Sequence, residues 1–207
     1  MTIRTMWEAA KSWRLEWLLL ATVLAASAWL RFHVLGRAAP WIDEITIASF
    51  ASPPKTPTSL TREIFAAGLK GFTGQHMPMQ YVLANQAQRR AARAAPADGV
   101  AILRAPFAWS GVLTVPLFGL LLGRWYGRAA GWWAAILLGL SFFHVYQSRD
   151  ATSYAPLLLF QAAALLGAQG LMADGLRSWR SVGYAVVLAV SVLGALFTHL
   201  TAWFFLL

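Results

Sequence analysis

Two adjacent carboxylates, Asp43 and Glu44, lie in the segment Pro40-Trp41-Ile42-Asp43-Glu44, shortly after the first long apolar run of the chain. Charged side chains beside a bilayer carry a free-energy cost, and they often have a functional role. A carboxylate there could take a proton from an attacking hydroxyl group, and the first turn of a helix would favour its ionised form. We therefore interpret Asp43, assisted by Glu44, as the candidate catalytic acid. The alternative is a solvated helix cap in a long loop.

Four further residues are candidates for binding or catalysis. Arg149 and Asp150 could supply a phosphate-binding guanidinium and a second acid, or could form an ordinary ion pair at a helix end. His76 and His199 could contact a metal ion or a phosphate, because neutral imidazole binds divalent metals and protonated imidazole pairs with phosphate. For each histidine the alternative is a polar residue at the membrane interface.

The composition is that of an integral membrane protein. Of the 207 residues, 58% are hydrophobic and 12% are charged, whereas roughly 25% are charged in a soluble domain. Since the chain has no cysteine, disulfides and thiolate metal sites are excluded. The net charge of +9 comes largely from arginines that flank apolar runs. We expect anionic lipid headgroups or a lipid-linked phosphate as partners, and no nucleic acid.

The apolar runs predict an all-α polytopic membrane protein with about five transmembrane helices. Arg4, Lys11 and Arg14 precede the first run, so we expect a retained signal anchor with a cytoplasmic N-terminus. The predicted layout is a cytoplasmic segment 1–14, spans at 15–35, 105–123, 129–146, 154–173 and 182–200, and an outer loop 36–104 that contains amphipathic juxtamembrane helices near 41–50, 59–69 and 78–95.

The segment 78–95 decides which residues share a side of the membrane. As a span it would bring Arg89, Arg90 and Arg93 into the hydrocarbon, at about 2.5–3.5 kcal/mol for each central arginine. We therefore interpret it as an interfacial helix, whose arginines hold the loop on the membrane or attract a phosphate. The candidate acids and histidines then all lie at the outer face, namely Asp43, Glu44, His76, Asp150 and His199.

A family resemblance is carried by the order and spacing of several short motifs. They are Asp43-Glu44, His76-Met77-Pro78-Met79, Leu103-Arg104-Ala105-Pro106, Gly123-Arg124, Ser148-Arg149-Asp150-Ala151-Thr152-Ser153-Tyr154-Ala155 and Phe197-Thr198-His199. In this order and spacing they resemble the glycosyltransferase C superfamily, in the branch of protein O-mannosyltransferases and aminoarabinose transferases (glycosyltransferase family 39 type). The family arginine of the Ser-x-Glu-Ala-Arg-x-Tyr-Ala motif falls on Thr152, with Arg149 nearby, and one proline of a Pro-Pro pair survives as Pro78.

The resemblance implies a membrane enzyme that moves a sugar from a polyprenyl-phosphate carrier to an acceptor at the outer, periplasmic face of a bacterial inner membrane. It implies that Asp43, with Glu44, activates the acceptor hydroxyl or helps to hold a divalent metal ion, which is one candidate cofactor. Arg149, Asp150 and His199 would then lie at the donor phosphate, and His76 would contact metal or phosphate.

The last residues, 200–207, are still apolar, so we expect the N-terminal part of a longer protein and no activity from these 207 residues alone. The alternative is a non-catalytic, transferase-like membrane subunit that assembles with other membrane subunits in a larger complex. A transporter segment is a weaker interpretation, because neither an inverted repeat nor a pair of broken helices is visible in the sequence.

Overall fold

The computed structural model describes residues 3–69, 77–92, 99–175 and 178–205. Within these ranges the chain is helical and contains no strand. The helices are α1 (Ile3–Phe32), α2 (Ile42–Phe50), α3 (Pro57–Leu69), α4 (Pro78–Ala91), α5 (Gly99–Tyr126), α6 (Arg128–Leu140), α7 (Phe142–Arg149), α8 (Tyr154–Asp174), α9 (Trp179–Thr198) and α10 (Ala202–Phe205).

Four of these helices contain a stretch long and apolar enough to cross a membrane: residues Leu15–Phe32 of α1, and the whole of α5, α8 and α9. The pair α6 and α7 passes the same test when taken together, although the two helices meet at 54°. The predicted fold class is therefore confirmed: the chain is an all-α, multi-pass membrane protein, and its described residues contain four or five segments that could span the membrane.

The helix bounds differ from the predicted spans in two places. α5 begins at Gly99 and continues through Pro106 and Pro116, whereas the sequence suggested a span from residue 105. A proline is tolerated inside a membrane helix because neighbouring groups can satisfy the backbone acceptors it frees. The segment predicted as one span, 129–146, is instead divided at Ser141.

Arg31 of α1 accounts for the break between α6 and α7. Its guanidinium is fully buried, and Nη1 donates to the Gly139 carbonyl oxygen at 3.1 Å while Nη2 lies 2.7 Å from Nδ1 of His144. Ser141 begins α7 by accepting a hydrogen bond from the backbone N–H of His144. A side chain that takes over backbone acceptors bends a helix at that point.

Small residues let the spanning helices approach closely. A Cβ added at Gly131 of α6 would lie 2.6 Å from the Gly119 carbonyl oxygen of α5, and one added at Gly167 of α8 would lie 2.8 Å from the Leu188 nitrogen of α9. In a membrane, where lipid tails are as apolar as leucine, such close contact is a main source of helix association.

The short helices α2, α3 and α4 pack together against the N-terminal half of α5. Their shared core is Ile47, Ala51, Leu60, Ile64, Tyr81, Ala84, Leu103, Phe107 and Ala151. α4 has 14 residues, about 21 Å of helix against a hydrocarbon core of about 30 Å, and it is not among the described helices that could span. Its Asn85 is fully buried and donates to the carbonyl oxygens of Ala51 and Lys55 at 2.7 and 3.0 Å.

Candidate functional site

Glu44 is a fully buried carboxylate in the first turn of α2. Its Oε2 accepts the backbone N–H of Trp41 at 3.0 Å, which satisfies a donor at the start of the helix. Its Oε1 accepts the backbone N–H of Ala151, 107 residues further along the chain, at 2.8 Å. The side chain therefore joins α2 to the segment between α7 and α8.

Arg104 of α5 completes the environment of Glu44. Nε donates to Oε1 at 2.8 Å and Nη2 donates to Oε2 at 2.7 Å, which is a bidentate pair, and Arg104 is also buried. The guanidinium further donates to the carbonyl oxygens of Leu35, Ala38 and Ala39 at 2.9, 3.1 and 3.3 Å. It thereby fixes the chain that follows α1.

The bonds to Glu44 set its protonation state. Burial raises the pKa of this carboxyl, but the hydrogen bonds from Arg104, Ala151 and Trp41 and the charge of Arg104 outweigh burial and hold the pKa below its ordinary value. Glu44 is therefore an ionised structural anchor whose two oxygens are both occupied. This geometry distinguishes it from a carboxylate that is open to a substrate.

Asp43, the neighbour of Glu44 in the sequence, is exposed. It lies close enough to Tyr81 at the start of α4 to act on that side chain: burial raises the pKa of the Tyr81 hydroxyl, a hydrogen bond with Gln80 lowers it, and the charge of Asp43 raises it further. Large apolar side chains are exposed on the same helix end, at Trp41, Ile42 and Ile45. An accessible carboxylate thus stands beside an apolar surface.

Asp150 and Arg149 lie on the other side of Glu44. Burial raises the pKa of the half-buried Asp150 carboxyl and the charge of Glu44 adds to this, while Arg104 and Arg149 oppose it. Asp150 forms no ion pair within the described residues. Arg149 donates instead to the carbonyl oxygens of Leu30 and Val34, at 2.7 and 3.4 Å, so these two neighbours do not form the ion pair considered as the alternative.

Asp43, Glu44 and Asp150 define one end of the helix bundle, which we call the carboxylate end. The C-terminus of α1, the N-terminus of α5 and the turn between α7 and α8 meet there. The hydroxyl of Thr152, at the position of the family arginine, is buried there and has no hydrogen-bond partner among the residues that the structure describes. The opposite end, which we call the basic end, contains Glu16, Arg124, Arg128 and Arg180.

The two predicted histidine sites have different outcomes. His199 follows α9, where Nδ1 accepts the backbone N–H of Thr201 at 3.1 Å and the ring lies 5.8 Å from that of Tyr154, the first residue of α8. It therefore lies at the carboxylate end. His76 is outside the described residues.

The described residues do not offer a metal site. Among them, no three His, Asp or Glu side chains are grouped so that they could hold a metal ion. The best-formed carboxylate, Glu44, already has both oxygens bonded to Arg104 and to backbone N–H groups.

Sequence reasoning did not identify Arg31 or the partner of Arg104. Arg31 is fully buried, and besides Gly139 and His144 it donates to the hydroxyl oxygens of Ser27 and Ser148 at 2.6 and 3.3 Å. The position of Arg31 near the end of an apolar run did indicate a functional or structural role, because an arginine there needs hydrogen-bond acceptors from the protein. The sequence pattern did not show which acceptors these are.

No protein-family model, no curated protein and no solved structure matches this chain. The functional interpretation therefore depends on the motifs and on the arrangement of the carboxylate end.

Proposed function

We propose that this chain acts in a membrane glycosyltransferase that moves a sugar from a polyprenyl-phosphate carrier to an acceptor hydroxyl. One observation supports this most directly. Three segments chosen for their resemblance to that family, Asp43-Glu44, Leu103–Pro106 and Ser148–Ala155, meet at the Glu44 carboxylate through Arg104 and the Ala151 N–H. In the sequence Glu44 is 60 residues from Arg104 and 107 residues from Ala151.

In the proposed reaction Asp43 takes the proton from the acceptor hydroxyl as that oxygen forms a bond to the anomeric carbon. The bond from this carbon to the phosphate oxygen breaks, and the phosphate leaves with the electron pair. Arg149 has N–H groups beyond the two that bind Leu30 and Val34, and these compensate the charge of the leaving phosphate. Glu44 and Arg104 are positioning residues, because they hold the start of α2 that presents Asp43.

The exposed side chains near Asp43 suit a lipid-linked donor. Trp41, Ile42 and Ile45 are 58%, 75% and 53% exposed, and an apolar surface next to the reacting group would lie against an isoprenoid carrier in the interfacial region. Asp150, whose raised pKa favours the protonated form relative to an ordinary aspartate, is a second acid that could protonate a leaving or bridging oxygen.

We place the carboxylate end at the periplasmic face of a bacterial inner membrane, with the N-terminus in the cytoplasm. The support is the positive-inside rule, because Arg124, Arg128 and Arg180 lie at the helix ends beside the short connections of the basic end. Anionic lipids of the inner leaflet would then be partners of that end.

A non-catalytic membrane subunit is the second candidate. The observation that favours it is the saturation of Glu44, since four hydrogen bonds to one buried carboxylate would also serve a purely structural joint. The two functions differ in what they require of Asp43, which is exposed and would be dispensable in a structural subunit.

The test is transfer by the full-length protein in proteoliposomes that contain a panel of polyprenyl-phosphate sugars, with Asp43→Asn as the variant. Removing the base should lower turnover at least about 100-fold without changing thermal stability. Glu63→Gln is the matched control, an exposed carboxylate of the same loop, and it should retain full turnover. Unchanged turnover in Asp43→Asn, with a donor that the wild type uses, would overturn the role of Asp43 and favour the subunit.

A further inference from the structure

A groove of about 680 Å³ lies at the basic end, between α1, α5 and α6. It is far from the carboxylate end, and the proposed reaction does not use it. Its walls include Trp17 and Leu20 of α1, Leu120 of α5 and Trp132 of α6. These side chains belong to helices that could span the membrane, so the groove opens toward lipid rather than toward water.

Charged side chains are confined to the rim of this groove. Arg124 at the end of α5 and Arg128 at the start of α6 line it, together with Glu16 of α1. Glu16 forms an ion pair with Arg128. Arg124 lies over the ring of Tyr184 of α9, 5.9 Å from its centroid, and it has no carboxylate partner among the described residues. The rim therefore carries one excess positive charge.

We propose that the groove binds one phospholipid with an anionic headgroup. The acyl chain lies along Leu20 and Leu120, and the phosphate lies at the rim against Arg124 and Arg128. Trp17 and Trp132 line the groove, and indole rings favour the boundary between headgroups and hydrocarbon. The apolar walls exclude a free inorganic anion as the ligand of the whole groove, since such an ion would leave them uncovered.

The charge of the rim gives selectivity between lipids. Phosphatidylglycerol carries a net negative charge that complements Arg124, whereas the choline group of phosphatidylcholine would bring a cation toward two arginines. This lipid site is independent of the proposed sugar transfer, because no residue of the groove belongs to the carboxylate end. Failure of one proposal therefore leaves the other intact.

Native mass spectrometry of the full-length protein in detergent, with either phospholipid added, tests the site. The wild type should retain phosphatidylglycerol in preference to phosphatidylcholine. Arg124→Gln should weaken phosphatidylglycerol binding about fivefold, as expected for one arginine near a headgroup, and should leave phosphatidylcholine binding unchanged. Arg180→Gln is the matched control, because it removes an exposed arginine of the same end that lies over Trp179.

A second variant tests the groove itself. Leu20→Trp places a larger side chain in the groove while keeping both arginines, so it should lower the retention of phosphatidylglycerol at unchanged thermal stability. Equal retention of the two lipids by the wild type would contradict the proposal. So would an equal loss of phosphatidylglycerol in Arg124→Gln and Arg180→Gln, because charge alone would then explain the binding.

Discussion

Glu44 and Arg104 form a pair in which neither charge reaches water. Removing one partner leaves the other buried and uncompensated, so Glu44→Gln should lower the free energy of unfolding by about 3–5 kcal/mol. Denaturant titration of the protein in detergent micelles measures this change. The Arg104→Gln and double variants complete a cycle, in which the double variant should lose less than the sum of the two single variants.

Glu63→Gln is the control for that measurement. Glu63 pairs with Lys55 at 2.8 Å, but Glu63 is exposed and Lys55 is partly exposed, and such a surface pair contributes less than about 1 kcal/mol. If Glu44→Gln and Glu63→Gln lowered stability equally, the assignment of Glu44 as the anchor of the carboxylate end would be wrong.

Asp150 predicts a dependence of stability on pH. Because burial raises its pKa in the folded protein, the folded state binds this proton more tightly than the unfolded state, whose pKa is near 3.9. The stabilisation that protonated Asp150 gives the folded state is fully present below the unfolded-state pKa, and it is lost as pH rises through the higher pKa of the folded state. Asp150→Asn should therefore unfold at higher denaturant than the wild type at pH 7, and the difference should vanish below about pH 4. A variant less stable than the wild type at pH 7 would contradict the assigned environment.

At the residue scale, the sequence indicated which acids are candidates but not how they differ. The sequence predicted Asp43 as the catalytic acid and Glu44 as its assistant, and among the described residues it is Glu44 that pairs with a guanidinium. Helical geometry separates neighbours by about 100°, which turns one toward α5 and the other outward. The choice of Arg104 as partner depends on tertiary contact across 60 residues, which a motif does not encode.

At the element scale, the close meeting of α1, α5 and α7 leads to a prediction about Gly111. A Cβ added there would lie 2.5 Å from the Ser148 Cβ and 2.9 Å from Arg31 Nε. Gly111→Ala should therefore destabilise the protein by about 1–3 kcal/mol, the usual cost of overpacking. It should do so by displacing the arginine that holds the break between α6 and α7. Thermal unfolding in detergent measures the effect.

Gly183→Ala is the matched control. Gly183 lies within α9, and a Cβ added there would meet nothing within 4 Å. Alanine has the higher helix propensity, so this variant should be as stable as the wild type or slightly more stable. If both alanine variants behaved alike, the packing inferred at Gly111 would not be a constraint on the fold.

Helix positions that a nearby proline marks could be predicted from the sequence. A helix break that depends on a contact with another helix could not. Helices α2, α3 and α4 lie near the predicted positions because proline stands just before or at the start of each one. The division at Ser141 was missed, since residues 129–146 are apolar apart from Ser141 and His144 and were read as one span. The division is caused by the buried guanidinium of Arg31 from α1. The sequence of residues 129–146 does not indicate that contact.

At the scale of the whole molecule, the alternation of helix direction collects Asp43, Glu44 and Asp150 at one end of the bundle and Arg124, Arg128 and Arg180 at the other. The number and approximate position of the spans followed from hydropathy, because every spanning helix must satisfy its backbone internally and be long enough to cross. The sequence also indicated that Asp43, Glu44 and Asp150 share an end. It could not supply the network of Arg31, Arg104 and backbone carbonyls that holds this end together.

The proposed sugar transfer requires the carboxylate end to face the outside of the cell. The chain has no cysteine, so a single cysteine can report the side of the membrane. Ser49 is an exposed residue of α2, and Arg180 is exposed at the basic end. We predict that an impermeant maleimide labels Ser49→Cys in intact spheroplasts, and labels Arg180→Cys only after the membrane is permeabilised. Labelling of Ser49→Cys only after permeabilisation would contradict the account.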